Sequence, residues 1–95
     1  MIRHIVFFTA KDPADIDAIH QGLKRLGEIK HSSKFEVTVN SKSDPLSDVV
    51  DVVVYAEFAN EAALNAYRAD PIYAQTTKLV KPLRELRFSA DIKAN

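Results

Sequence analysis

The stretch DVVVYAEF (residues 51–58) carries the strongest indication of the fold in this chain. Its β-branched and aromatic residues predict a strand, which we place at residues 49–58. Successive side chains of a strand point to opposite faces of the sheet. Both faces are apolar here: one carries Val50, Val52, Val54 and Phe58, and the other carries Val53 and Tyr55. We therefore expect both faces of this strand to be covered.

Three further segments predict strands. Residues 2–10 form a dense apolar run, in which one face carries His4, Val6 and Phe8 and the other carries Ile5 and Phe7. Residues 35–40 alternate between apolar and polar side chains, which is typical of a half-buried strand. The same alternation marks the last strand at Leu86, Phe88, Ala90 and Ile92. The polar residues 41–47 predict a surface loop between two strands.

A first helix is predicted between the first two strands. Asp12 can cap the helix, and Pro13 suits its first position. The apolar residues then recur at spacings of three and four, which places them on one helical face: Ile16, Ile19, Leu23 and Leu26. Gly27 lies near the end of this pattern, where glycine often closes a helix.

A second helical region follows the strand at residues 49–58. Asn60 predicts its start, Pro71 interrupts it, and Asp70 can cap a further segment that ends at about Val80. The order of elements is then β-α-β-β-α-β, which places the chain in the α+β class. This order predicts a ferredoxin-like, four-stranded antiparallel sheet with both helices on one face.

Two helices cover only one face of such a sheet, although both faces are apolar. An exposed apolar face of several hundred square ångströms usually marks an interaction site. We therefore predict a homodimer that pairs sheet to sheet through the face bearing Ile5, Phe7, Val53 and Tyr55. The alternative is a monomer in which these residues are partly exposed.

The composition limits the possible functions. Ninety-five residues predict a single domain spanning residues 1–95, and thirteen basic and thirteen acidic side chains give a net charge of zero. A neutral chain whose third strand has no glycine or basic residue is not expected to bind nucleic acid. The apolar residues 1–10 are too short for a membrane span, and Arg3 and His4 interrupt them where a signal peptide is apolar. With no cysteine and no export signal, the expected location is the cytoplasm.

No metal site is predicted, because His4, His20 and His31 lack ligand spacing and an accompanying carboxylate cluster. Two glycines in the whole chain also argue against a phosphate-binding loop.

Several segments, taken in order, resemble the stress-responsive A/B barrel domain (Dabb) family over almost the whole chain. They are HIVFF (4–8), FEV (35–37), DVVVYAEF (51–58), NEAALNAY (60–67), DPIY (70–73) and the late Asp91. The resemblance implies a dimeric α+β barrel, in agreement with the two-faced sheet.

Many members of this family have no assigned reaction, some are linked to stress responses, and others are similar to polyketide cyclases that close an aromatic ring by cofactor-free aldol chemistry. The resemblance places the cyclase strand histidine at His4 and the helix tyrosine at Tyr67. It places the second catalytic histidine at Tyr73, and the aspartate that orients it at Asp91. A phenol with an ordinary pKa near 10 keeps the polarity of that position but loses the neutral-pH base.

Three hypotheses follow. In the first, a homodimer binds a small apolar or aromatic ligand between sheet and helices, without a cofactor. The polar end of the pocket is formed by His4, Tyr67, Tyr73 and Asp91, and its apolar walls by Val6, Phe8, Ile19, Leu23 and Phe58. In the second, the protein is a cofactor-free cyclase, isomerase or lyase with His4 as the base and the two tyrosines polarising a carbonyl. In the third, it is a non-catalytic structural protein of the stress response.

The individual residues leave alternatives open as well. His4 is either a proton-transfer group or a core histidine whose ring nitrogens are satisfied by neighbours. Asp91 either hydrogen-bonds Tyr73 or lies at a strand end beside Arg84 or Arg87.

Overall fold

A computed structural model describes residues 1–94, and within them four strands form one antiparallel sheet. The strands are β1 (Ile2–Ala10), β2 (Lys34–Val39), β3 (Val52–Phe58) and β4 (Arg84–Lys93), and their order across the sheet is β2-β3-β1-β4. The helices are α1 (Ile16–Lys24), α2 (Glu61–Ala69) and α3 (Pro71–Val80), with 3₁₀ turns at Pro13–Asp15 and Arg25–Glu28. The predicted ferredoxin-like order of elements is confirmed.

Side chains at the predicted caps begin the helical segments. The carboxylate of Asp12 accepts a hydrogen bond from the backbone N–H of Ala14 at 3.0 Å, and helix α1 follows a 3₁₀ turn. The side chain of Asn60 accepts from Ala63 N at 2.9 Å at the start of α2. Asp70 ends α2 in extended backbone and begins α3 directly before Pro71. Each cap satisfies a backbone donor that the helix itself leaves unpaired.

Two local predictions were wrong. The third strand starts at Val52 rather than at residue 49, because the side-chain amide of Asn40 donates to the Val50 carbonyl at 2.8 Å and holds this part of the chain in the loop. Gly27 does not close α1 in a left-handed conformation. It lies inside the second 3₁₀ turn, without a positive φ.

The inner face of the sheet packs against the helices to form the core. On β1 and β3 the buried positions alternate as predicted, and Val6, Phe8, Val52, Val54 and Phe58 are each at most 5% exposed. Ile19, Leu23, Leu64 and Val80 cover them from the helices. None of the helices within residues 1–94 is long and apolar enough to cross a membrane.

The outer face of the sheet is not covered by any element within residues 1–94. Phe7 is paired with Val53 on one side and with Phe88 on the other, and Ile5 is paired with Tyr55 and Ala90. Phe7 and Phe88 are 36% and 57% exposed. Both sheet faces are therefore apolar as predicted, and the outer apolar surface extends onto β4.

Candidate ligand-binding cleft

A narrow cleft lies between helix α3 and the inner face of the sheet. Its apolar walls are formed by Val6, Phe8, Leu23, Leu26, Val54 and Val80. Its polar lining is formed by His4, Tyr67, Tyr73, Thr76, Thr77, Arg84 and Arg87. The cavity inside the cleft has a volume of about 30 Å³, enough for one or two waters.

Strand pairing brings His4, which lines the cleft, together with Asp91, which lies outside it. The two residues are direct partners in the β1–β4 register, and Nδ1 of His4 lies 2.5 Å from Oδ1 of Asp91. Arg68 on α2 donates from Nη2 to the other carboxylate oxygen at 2.9 Å. His4 is 1% exposed, so this partner satisfies a ring nitrogen that would otherwise be buried without a hydrogen bond.

The carboxylate of Asp91 also determines which histidine nitrogen carries the proton. Burial raises the pKa of Asp91, but the hydrogen bonds from His4 and Arg68 and the positive charge of Arg68 outweigh that effect and hold the pKa below its ordinary value. An ionised carboxylate only accepts hydrogen bonds. In the neutral ring Nδ1 therefore donates to Asp91, and Nε2 keeps its lone pair.

Tyr67 is the centre of an aromatic cluster beside His4. Its ring centroid lies 5.0 Å from that of Phe58, 5.3 Å from Tyr73 and 6.1 Å from His4, all in edge-to-face arrangements. Burial raises the pKa of Tyr67, Tyr73 raises it further, and Arg87 opposes the shift. The phenol of Tyr67 is thus a hydrogen-bond donor at neutral pH and not a base.

Asp91 does not orient Tyr73, so that expectation was wrong. The Tyr73 hydroxyl instead accepts a long hydrogen bond of 3.4 Å from Nη2 of Arg87. Asp91 and Arg68 line a separate groove. The reason is the strand register, which sets Asp91 opposite His4 and sets Arg87 opposite Phe8, next to the cleft.

Of the five residues expected to form apolar walls, Val6, Phe8 and Leu23 line the cleft. Ile19 and Phe58 do not, because both are completely buried in the core. Phe58 pairs with Ile2 at the far end of the β1–β3 ladder, whereas the cleft lies near Val6 and Phe8. Phe58 supports the site indirectly, because its ring packs against that of His4 with 6.2 Å between the two ring centroids.

Thr76 is a cleft residue that the sequence analysis missed. It is 1% exposed, and its hydroxyl makes no hydrogen bond to any group in residues 1–94. The next residue differs, since the Thr77 hydroxyl donates to the Tyr73 carbonyl at 2.9 Å. The spacing of three residues between Tyr73 and Thr76 is a sequence signal for a shared helical face.

Arg68 was also missed, because nothing in the local pattern distinguishes it from a surface arginine.

For metal binding, residues 1–94 contain no group of three or more His, Cys, Asp or Glu side chains that could hold an ion. The cleft therefore combines apolar walls with a histidine, two phenols, an unpaired hydroxyl and two arginines.

Comparison with known proteins supports the expected family. The model of the family described as stress responsive A/B barrel domain (Dabb) matches residues 2–94. No curated protein sequence matches this chain.

Solved structures share the fold at low sequence identity. A Dabb family protein with a ferredoxin-like fold from Mesorhizobium loti is 24% identical, with a TM-score of 0.82 over 99% of this chain and 96% of that one. A dimeric protein of unknown function from Bacteroides fragilis is 22% identical, with a TM-score of 0.80 over 98% and 95% of the two chains. A dimeric ferredoxin-like protein of unknown function from Jannaschia is 17% identical, with a TM-score of 0.84 over 98% of each chain.

Proposed function

This chain belongs to the stress-responsive A/B barrel domain (Dabb) family, and on that premise we propose that it is a homodimer in which each protomer binds a small apolar or aromatic ligand in its cleft. The dimer and the ligand are supported by different parts of the molecule. The outer sheet face supports the dimer, and the lining of the cleft supports the ligand.

The outer face has the composition of an interface. Ile5, Phe7, Val53 and Tyr55 lie on it as one apolar surface, which Phe88 extends on the edge strand. A second copy related by a twofold axis would cover this surface with an identical one. The solved structures from Bacteroides fragilis and Jannaschia are described as dimeric, which agrees with this arrangement.

The Thr76 hydroxyl is the observation that carries the ligand proposal. A buried hydroxyl without a hydrogen bond costs about 1–3 kcal/mol, and here it lies in a cleft that also has apolar walls. A ligand oxygen or nitrogen beside Thr76 would remove that cost, and the apolar walls would hold a ring or short chain. The cleft is small, so binding of a ring requires lining side chains to move, and the exposed Arg87 and the half-buried Tyr73 are the lining residues we expect to do so.

The test is an NMR titration of ¹⁵N-labelled protein with 4-hydroxybenzamide, a neutral aromatic probe that carries hydrogen-bonding groups. We expect amide shifts at cleft residues on α3 and β1. Thr76→Val should weaken binding about fivefold, the loss of one hydrogen bond. Thr77→Val is the matched control, because its hydroxyl is already bonded to the Tyr73 carbonyl. Absence of cleft shifts would contradict the proposal and favour a structural role without a ligand.

A second function, proton transfer, is favoured by the pair of His4 and Asp91. The carboxylate fixes the proton on Nδ1 and stabilises the positive charge that the ring gains when Nε2 takes a proton. Tyr67 and Tyr73 would donate hydrogen bonds to a carbonyl oxygen, where negative charge develops when a neighbouring carbon loses a proton. This is the chemistry of a cofactor-free cyclase, isomerase or lyase.

This second function is tested by the exchange of acetophenone α-protons with D₂O, followed by NMR. We expect the wild-type protein to accelerate exchange and His4→Gln to abolish the acceleration while retaining the fold. If the wild-type protein binds acetophenone in the cleft without accelerating exchange, the proposed proton-transfer activity is wrong and the ligand-binding function stands.

A further inference from the structure

Two arginines at the mouth of the cleft have no carboxylate partner. The ion pairs within residues 1–94 involve other cations: His4, Arg25, Lys34, Lys42, Arg68 and Lys93. Arg87 makes only the long 3.4 Å hydrogen bond to the Tyr73 hydroxyl, and Arg84 lines the same cleft. Arg68, on the neighbouring helix, in contrast forms an ion pair with Asp91. The cleft mouth thus carries two guanidinium groups available to a ligand.

A β-bulge places both arginines at this mouth. Residues three apart on a regular strand point to opposite faces. Phe8 pairs with Arg87 and Ala10 with Arg84, so β4 has one more residue than β1 between these two pairs. The backbone N–H of Leu86 donates to the Thr9 hydroxyl at 2.9 Å inside this irregularity. The bulge therefore turns Arg84 to the same face as Arg87, and bulges commonly re-aim side chains beside binding sites.

We propose that the ligand is a small acid, with its carboxylate bound by Arg84 and Arg87 and its apolar or aromatic body inside the cleft. This rests on the proposed ligand-binding function and specifies the class of ligand. The planar guanidinium matches a carboxylate with two parallel hydrogen bonds. The body of the ligand contacts Val6, Phe8 and Val80, and a polar substituent at its inner end meets Thr76 or His4.

The experiment compares 4-hydroxybenzoate with 4-hydroxybenzamide, which share a ring and a hydroxyl and differ in charge. We expect the acid to bind about tenfold more tightly than the amide in NMR titrations, the preference expected for a charge-assisted hydrogen bond. The double variant Arg84→Gln/Arg87→Gln should lose this preference, so that it binds the acid and the amide with equal affinity. Lys78→Gln/Lys81→Gln is the matched control, since it removes two exposed positive charges that do not line the cleft.

The outcomes separate the two proposals. If both probes bind in the cleft with equal affinity, the carboxylate site is wrong and the ligand-binding function stands. If the lysine control loses the preference as strongly as the arginine variant, the preference for the acid comes from the overall positive charge of the protein. The proposed carboxylate site is then wrong. If neither probe shifts cleft residues, the ligand-binding function fails and the carboxylate site fails with it. ¹H–¹⁵N spectra of each variant establish that the fold is retained.

Discussion

Nδ1 of His4 lies 2.5 Å from Oδ1 of Asp91 on the neighbouring strand, although the two residues are 87 positions apart in the chain. This hydrogen bond joins the first strand to the last strand, with only His4 lining the cleft. Arg68 holds the same carboxylate from helix α2 at 2.9 Å. The relationship has consequences for stability that can be measured separately from any activity.

Replacing Asp91 should destabilise the protein more than replacing Arg68, which binds the same carboxylate. Asp91→Ala leaves Nδ1 of the buried His4 without an acceptor, which we expect to lower the free energy of unfolding by about 1–3 kcal/mol. Arg68→Gln removes a side chain that is 40% exposed, so it should cost less than about 1 kcal/mol. Urea unfolding of both variants makes the comparison, and equal losses would contradict the structural role assigned to His4.

The acid stability of the protein should also depend on Asp91. Its pKa lies below the ordinary 3.8 in the folded state. The contribution of the Asp91 carboxylate to the free energy of unfolding is therefore complete above its ordinary pKa. It is lost as the pH falls through the folded-state pKa. We expect wild-type stability to fall more steeply than that of Asp91→Asn below about pH 3.8. Asp51, whose pKa is also lowered by its contacts with Lys42 and Ala10, accounts for part of the remaining acid dependence.

At the alkaline end, Tyr67 should resist ionisation. Burial and the neighbouring Tyr73 raise its pKa above the ordinary value of 10.0. The contribution of the Tyr67 phenol to the free energy of unfolding is therefore complete below that ordinary value. It is lost as the pH rises towards the folded-state pKa. An absorbance titration should show one tyrosine that ionises only as the protein unfolds, and Tyr67→Phe should remove this step. If the variant retains the step, Tyr67 is not the protected phenol.

Thr76 allows a test of whether its buried hydroxyl lowers the free energy of unfolding. Thr76→Val keeps the shape of the side chain and removes a buried hydroxyl without a partner, so we expect a gain of about 1 kcal/mol in the free energy of unfolding. Thr77→Val should give no gain, because it breaks the hydrogen bond to the Tyr73 carbonyl. Chemical denaturation compares the two, and a loss of stability in Thr76→Val would show that its hydroxyl is satisfied in solution.

Local features of the sequence predicted most of the fold. Asp12, Asn60 and Asp70 begin helical segments because a capping side chain acts on donors two or three residues away. The alternation in residues 2–10 and 52–58 likewise identified the buried face of each strand. The start of β3 was missed because the side chain of Asn40, ten residues before Val50, competes for its carbonyl.

The arrangement of the site was less predictable, because it depends on contacts between distant segments. The partner of Asp91 is decided by the register of β1 and β4, and no local pattern specifies that register. The β-bulge opposite Thr9, which brings Arg84 and Arg87 to one face, is invisible for the same reason. The resemblance placed His4 and Tyr67 at the cleft, but it paired Asp91 with the position that Tyr73 occupies here instead of with His4.

The outer face of the sheet gives the direct test of the proposed dimer. Phe88 is 57% exposed in one protomer and lies beside Phe7, so Phe88→Glu should cost the folded protomer little. In the dimer it would bury a charge without a partner, at a cost of several kcal/mol. We expect sedimentation at micromolar concentration to give the mass of two chains for the wild type and of one chain for Phe88→Glu. Leu79→Glu, at a similarly exposed apolar position on α3, should remain dimeric. A dimeric Phe88→Glu, or loss of the dimer in Leu79→Glu, would place the interface elsewhere.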